Sequence, residues 1–414
     1  MVGAVTDHVD VVYSYSPELL SYDFGPGHPF RPERALYTYQ ALEAAGFFTQ
    51  EGVRLLEPTP APAETIQLFH ARDYVVALLA EDEEKLLYYG IGFGDNPFFE
   101  GIGRASSLVV GATAGAVSAL MGADGARLAF SFSGGLHHAH PRYASGFCIL
   151  NDAAIAIRLW LNDAATHGRE RSGVVAYVDI DAHHGDGVLY GFQDDPRVLC
   201  ISIHESGRYL FPGTGFANER GRGDALSYTM NLPLPPGSGD TEFVQLLDRY
   251  VFPALDFVEP ELLVVQAGTD GYKDDPLAHL HYTQFAYLAF LERLLSFIGA
   301  HPETRVLILG GGGYVPWFAS LMWASIALSL RNGIVLDPAS LPPAALAQIP
   351  DAPARFLPPP PGAAGTSRPA PLPPEYARVL EETHSHASIT LSLIRGSGTG
   401  SDPGSDPVPD PRDW

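Results

Sequence analysis

Cysteine is nearly absent: Cys148 and Cys200 are the only two in 414 residues. Two cysteines, each inside an apolar run, build no disulfide framework, so the chain reads as one suited to a reduced, cytoplasmic setting. Basic residues are also scarce, 25 Lys and Arg against 48 Asp and Glu, for a net charge of −23. A phosphate-tracking surface needs clustered Lys and Arg, which excludes a general nucleic-acid binder. The amino terminus lacks a basic stretch followed by an apolar one, and Asp7 and Asp10 stand where a signal peptide would carry neither. Uncharged runs long enough for a bilayer are few. Val306 to Leu330 is one, but four consecutive glycines and Pro316 divide it into a strand, a loop and a helix, the pattern of a soluble buried element. No collagen period and no internal repeat occurs.

What is present is 46% apolar residues with 43 Gly and 36 Pro, enough for one large globular domain or two smaller ones with many loops. Four β-branched runs end in glycine or polar residues: GVVAYVDIDAHHGDG, RVLCISIHESG, ELLVVQAGTDG and TRVLILGGGGY. Continuous apolar runs of this kind suit strands buried on both faces, which predicts an α/β fold with a large, mostly parallel sheet flanked by helices. Helices are expected over Ala63–Leu79, Ser106–Met121, Asn151–Ala165, Glu242–Leu255 and Thr283–Phe297. The domain reading is a catalytic unit over 1–334, a Pro-rich extension over 335–393 with one helix near Glu375–Leu393, and a disordered tail over 394–414.

The chemistry concentrates where these strands end. In VDIDAHHGDG, Asp179, Asp181 and His183 fall on every second position, so an extended strand end throws all three to one face. Two carboxylates and an imidazole are a metal constellation that suits zinc and accepts iron(II) or another divalent ion; the plainer reading is a set of helix caps. Asp270, after LLVVQAGT, adds an acid at the same sheet edge, where ligands gather in open α/β sheets. The adjacent His137 and His138 in GGLHHAHPRYASGFCILND serve one site only if the backbone turns, and the preceding glycines permit that turn. GGGGY at Gly310–Tyr314 lacks the Walker lysine and the G-x-G-x-x-G spacing; Tyr314 is either an oxyanion donor or a packing residue.

Seven ordered motifs carry a family resemblance across roughly residues 20 to 330. They are GHPFRPER, GGLHHA, SGFCILND, VDIDAHHGDGV, SIHESGRYLFPGTG, QAGTDGYKDDPL and LGGGGY. The sequence resembles the histone deacetylase family of the arginase/deacetylase superfamily, and its bacterial acetoin-utilisation branch in particular.

The resemblance implies that Asp181, His183 and Asp270 hold a catalytic zinc, with iron(II) as the alternative in vivo. His138 is then the general base and acid and His137 tunes the field, with Asp186 and Asp179 as their respective carboxylate partners. Tyr314 stabilises the oxyanion. Phe147 and Phe211 form the walls of an acyl-lysine tunnel, Gly146 leaves room for the chain, Gly312 lines the site, and Asp95 is a rim acid. Structural potassium is implied at Asp179, Asp181, His183, Ser202 and the carbonyl of Ile203, and again at Phe192, Asp195, Val198 and Tyr228. Arg34 matches an arginine beneath an acetate-release channel; on residue type alone it is a helix-surface arginine.

The function implied is zinc-dependent hydrolysis of Nε-acetyl-lysine in proteins or peptides, linked to acetoin or acetate utilisation. The partner is therefore an acetylated protein or peptide, not nucleic acid or membrane, and the oligomeric state stays open. Alternatives are an acetylpolyamine amidohydrolase, an arginase-type binuclear manganese ureohydrolase and a catalytically silent acyl-lysine binder.

Overall fold

A computed structural model describes residues 11–121, 125–166, 174–352 and 373–396. Most of the Pro-rich stretch after 352 and the tail beyond 396 lie outside these described residues. Eight strands form one sheet: β1 (Val11–Ser14), β2 (Val53–Leu56), β3 (Leu128–Ser131), β4 (Val175–Asp179), β5 (Val198–Glu205), β6 (Thr229–Leu234), β7 (Leu262–Gln266) and β8 (Arg305–Leu309). Their spatial order is β2-β1-β3-β8-β7-β4-β5-β6, and every pairing is parallel.

Burial on both faces explains the continuous apolar runs. Along β7, Leu262 and Val264 enter one apolar cluster while Leu263 and Val265 enter the other, and β4 and β8 alternate in the same way. Helices must therefore cover both sides. The four strand runs read from sequence are β4, β5, β7 and β8. β1, β2 and β3, each four residues long, and β6 carry too little periodicity of their own to stand out.

The expected helix over Ala63–Leu79 is two helices, Ala63–Ile66 and Arg72–Leu79. Tertiary bonds break it: the Asn151 N–H donates to His70 Nε2 at 2.8 Å, and the Ala71 N–H donates to the Pro141 carbonyl at 2.8 Å. The glycine-rich helix Ile102–Leu120 packs closely, as a Cβ on Gly111 would strike the Thr59 carbonyl. Val306–Leu330 resolves into β8, a loop and the helix Pro316–Asn332. Among the described residues no helix is long and apolar enough to cross a membrane.

Toward the carboxyl end, the helix Pro374–Ile394 covers the edge strand β6, with Thr383 Oγ1 donating to the Pro233 carbonyl at 2.6 Å. An edge strand left bare is a pairing template, so this cover protects the sheet.

Candidate active site

The strands β3, β8, β7 and β4 are consecutive in the sheet, so the loops leaving their carboxyl ends are neighbours. Phe132–His138, Gly310–Tyr314, Ala267–Asp270 and Ile180–His183 meet there although they are distant in the chain. The turn that joins the two histidines is built by Gly135, whose φ is +91°. Asp152 pins it, accepting the N–H groups of Gly135 at 3.0 Å and Leu136 at 2.8 Å and the Thr113 hydroxyl at 2.6 Å. Gln266 Nε2 donates to the Gly135 carbonyl at 2.6 Å. The result is two buried imidazoles with ring centroids 4.0 Å apart.

Each histidine has its own carboxylate. His137 Nδ1 lies 2.8 Å from Asp179 Oδ2, and His138 Nδ1 lies 2.7 Å from Asp186 Oδ1. Such partners fix the tautomer, leaving each Nε2 for chemistry. For His137, burial opposes the charged form, but Asp179 and Asp181 outweigh it and hold its pKa up at about 9. For His138, burial and the neighbouring positive His137 push the pKa down to about 4. The two Nε2 atoms are 3.0 Å apart and point into the same space.

β4 ends at Asp179, and the backbone then leaves the strand, so Asp179, Asp181 and His183 do not project from one extended face. Asp179 turns to His137 and to the Tyr177 hydroxyl, which donates at 2.7 Å. The metal-type group is Asp181, His183 and Asp270, three buried side chains whose ligand atoms all lie within 4.8 Å of one another.

The donor set fits a divalent cation. His183 Nδ1 faces Asp181 Oδ1 at 3.2 Å and Asp270 Oδ2 at 2.8 Å, so two carboxylates converge on a single imidazole. Burial and Asp181 push Asp270 up to about 7, the strain of an under-neutralised carboxylate. The free carboxylate atoms are oriented by amides: Gly312 N–H donates to Asp181 Oδ2 at 2.6 Å and Ala182 N–H to Asp270 Oδ1 at 2.7 Å.

Tyr314 borders the same site, its ring 6.4 Å from that of His183 and 5.7 Å from that of Phe147. Burial holds its hydroxyl well above the usual tyrosine range, which keeps it a donor. A Cβ on Gly312 would strike the Asp270 carboxylate, so the loop can pass only as glycine. His137, His138, Gly146, Phe147, Asp181, Gly312 and Tyr314 line one pocket.

The whole domain has relatives. The histone deacetylase domain pattern matches residues 28–330. The chain belongs to the histone deacetylase family. The acetoin utilization protein AcuC of Bacillus subtilis (strain 168) is 36% identical over 344 residues, covering 81% of this chain and 85% of that protein. AcuC of Staphylococcus aureus (strain Mu50 / ATCC 700699) is 34% identical over 329 residues, covering 77% and 81%. The crystal structure of an HDAC homolog complexed with SAHA superposes with a TM-score of 0.69 at 29% identity, over 82% of this chain and 88% of that one. This deacetylase-family hydrolase falls in the acetoin-utilisation branch.

In this deacetylase-family chain Arg34 is buried, not on a helix surface, and donates to the carbonyls of Gly311 at 3.1 Å and Gly313 at 2.8 Å. It lines a second cavity with Tyr22, Phe30, Phe132 and Trp323, and Phe30 and Gly311 also line the first. Phe147 packs against Tyr314 and His28, whereas Phe211 is 40% exposed and lies 5.0 Å from the His138 ring. Asp95 is exposed on a tight loop whose carbonyl meets His28.

Of the residues named for structural cations, Ser202 pairs in register with Asp179, and its hydroxyl lies 2.8 Å from His204 Nδ1. Phe192, Asp195 and Val198 share one turn closed by backbone bonds, and the Tyr228 carbonyl accepts from Cys200 N–H. The Asp195 carboxylate is bonded by Arg158 and Arg197.

Several supporting residues escaped the sequence reading. Asp152 and Gln266 hold the histidine turn, Tyr177 holds Asp179, and His140 Nε2 lies 3.0 Å from the second oxygen of Asp186. Asp275 accepts the Tyr314 N–H at 2.8 Å. Asp152, Gln266 and Asp275 lie inside motifs that carried the resemblance, and that position is the signal that could have found them.

Proposed function

We propose that this chain hydrolyses the amide of Nε-acetyl-lysine in proteins or peptides and releases acetate. The ion that Asp181, His183 and Asp270 would hold is zinc, with iron(II) as the alternative in the cell. The observation that carries the reading is a buried Asp181-His183-Asp270 ligand group whose Asp181 lines one pocket with Tyr314 and with two histidines that are each paired with a carboxylate. When bound, such an ion polarises the acetyl carbonyl and acidifies a water.

The chain's own residues do the rest. Neutral His138 accepts the proton of the attacking water at Nε2 and returns it to the departing lysine amine, while Asp186 holds Nδ1 and steadies the imidazolium. His137, held by Asp179, tunes the field next to it. The Tyr314 hydroxyl donates to the oxygen that gains charge, a contribution of about 2.7 to 4 kcal/mol. Phe147 and Phe211 flank the lysine methylenes, and Asp95 receives polar groups at the rim. Arg34 lines the cavity through which acetate leaves.

Potassium is assigned to Asp179, Asp181, His183, Ser202 and the Ile203 carbonyl, and to Phe192, Asp195, Val198 and Tyr228. Two relatives carry acetoin utilization in their names, which supports a role in acetoin or acetate metabolism. A binuclear ureohydrolase needs two adjacent ligand groups, and among the described residues one group has metal-ligand spacing.

The test is acetate release from an acetyl-lysine peptide by the purified protein, with metal content measured on the same sample. Expected is turnover with one transition metal per chain and a roughly 10²- to 10³-fold lower kcat in Tyr314→Phe with KM little changed. Activity on acetylspermidine but not on the peptide would move the substrate to polyamines, and activity on arginine with two manganese ions would overturn the reading.

A further inference from the structure

The rim of the pocket holds a titratable group that the chemistry above does not use. His28 sits between three segments: its own loop, the tight turn around Asp95, and the loop of Phe147. Its ring meets the Phe147 ring edge-on with centroids 4.5 Å apart and an interplanar angle of 77°, and Phe24 backs it at 4.6 Å. Phe147 in turn packs on Tyr314, so His28 supports one wall of the pocket from outside.

Both ring nitrogens are occupied by backbone, and the partners dictate the tautomer. The Phe30 N–H donates to Nδ1 at 3.1 Å, so Nδ1 carries a lone pair. Nε2 lies 3.2 Å from the Asp95 carbonyl, which only accepts, so Nε2 carries the proton. A protonated ring has N–H at both positions, and its Nδ1–H would point at the Phe30 N–H. One bond is then lost and two donors oppose each other.

We propose that His28 is a proton-sensitive clasp at the mouth of the substrate pocket: neutral, it holds the pocket-lining Phe30 segment to the Asp95 turn beside Phe147, and protonated, it keeps the Asp95 carbonyl but releases the Phe30 N–H. The inference rests on the acetyl-lysine reading for its substrate but not for its geometry. The charged groups that face the ring are Asp95 from the turn, and Asp23 and Arg31 from its own loop; the Phe147 loop presents an aromatic ring. Partial burial outweighs the two acids and lowers the His28 pKa below its ordinary value, so the clasp is closed at neutral pH.

The experiment compares the wild-type holoenzyme with His28→Gln and His28→Ala on an acetyl-lysine peptide from about pH 7.5 down to about one pH unit below the His28 midpoint that a ¹⁵N titration reports. Gln keeps a donor for the Asp95 carbonyl but does not titrate. In the wild type, KM rises about three- to tenfold as the pH falls, the worth of one hydrogen bond. In His28→Gln, KM stays flat across the range, in His28→Ala it is high throughout, and kcat follows the same pH course in all three proteins. A wild-type KM independent of pH, or a His28→Gln profile that overlays the wild type, overturns the clasp.

A second readout needs no activity. Imidazole ¹⁵N shifts should report the Nε2–H tautomer at neutral pH, with the Phe147 ring resonances moving as His28 protonates; the opposite tautomer, or a Phe147 ring blind to the titration, refutes the proposal. Absence of turnover on any acetyl-lysine peptide would count against the deacetylase reading alone, and the ¹⁵N titration would still decide the clasp.

Discussion

Gly146 offers the sharpest test of how the pocket is built. Its φ is +51°, and a Cβ placed there would sit 2.5 Å from His138 Cδ2 and 2.8 Å from Phe211 Cε1. Carbon atoms rest at about 3.5 Å or more, so Gly146→Ala demands about 1 Å of movement. Phe211 is 40% exposed and can swing outward. His138 is 4% exposed and bonded at both ring nitrogens, so its share of the movement stretches the 2.7 Å bond to Asp186 beyond useful length.

Displacing His138, the proposed general base, by that much costs about 10²-fold in kcat. The left-handed backbone adds about 1 to 2 kcal/mol of instability on its own. Gly333→Ala separates the two effects. Gly333 ends the helix Pro316–Asn332 at φ +68°, with nothing within 4 Å of an added Cβ. Deacetylation kinetics and thermal unfolding should show similar losses of stability in both variants and loss of kcat in Gly146→Ala alone. If Gly146→Ala keeps kcat within about threefold of wild type, the steric account of the pocket is wrong.

Two further outcomes follow from the charges. In the metal-free protein the folded pKa of His137, about 9, lies above its unfolded value, so the histidine's stabilising contribution is complete below about pH 6.5 and is lost as the pH rises through 9. Urea unfolding of the wild type and His137→Gln should give a stability difference that shrinks by about 3 kcal/mol between pH 6.5 and pH 10; a constant or growing difference would sink the assignment. Chelation should abolish turnover and lower the thermal midpoint, by the equivalent of about 2.7 kcal/mol for a sample loaded at a hundred times Kd, and Asp181→Asn should be insensitive to the chelator in both measurements.

The primary structure determined the fold class and named the residues that gather at the candidate site because both are written in local pattern. β4, β5, β7 and β8 are buried on both faces, so their apolar runs are continuous and legible. The residues with metal-ligand and acid-base chemistry sit in short motifs at the ends of those runs.

Other features depend on partners remote in the chain, and only the folded molecule decided them. β1, β2, β3 and β6 are strands because their neighbours pair with them, and the helix from Ala63 breaks because His70 and Ala71 find bonds at Asn151 and Pro141. The alternation of Asp179, Asp181 and His183 suggested a common face, yet the strand ends at the first of them, and the tertiary bond to His137 takes Asp179 away from the ligand group. Arg34 carries a charge that belongs on a surface by residue type, and the carbonyls of Gly311 and Gly313, nearly three hundred residues along, make it tolerable inside. Local pattern reports what a segment can bury; which polar groups become partners is set by strand order, and that order exists only in the assembled sheet.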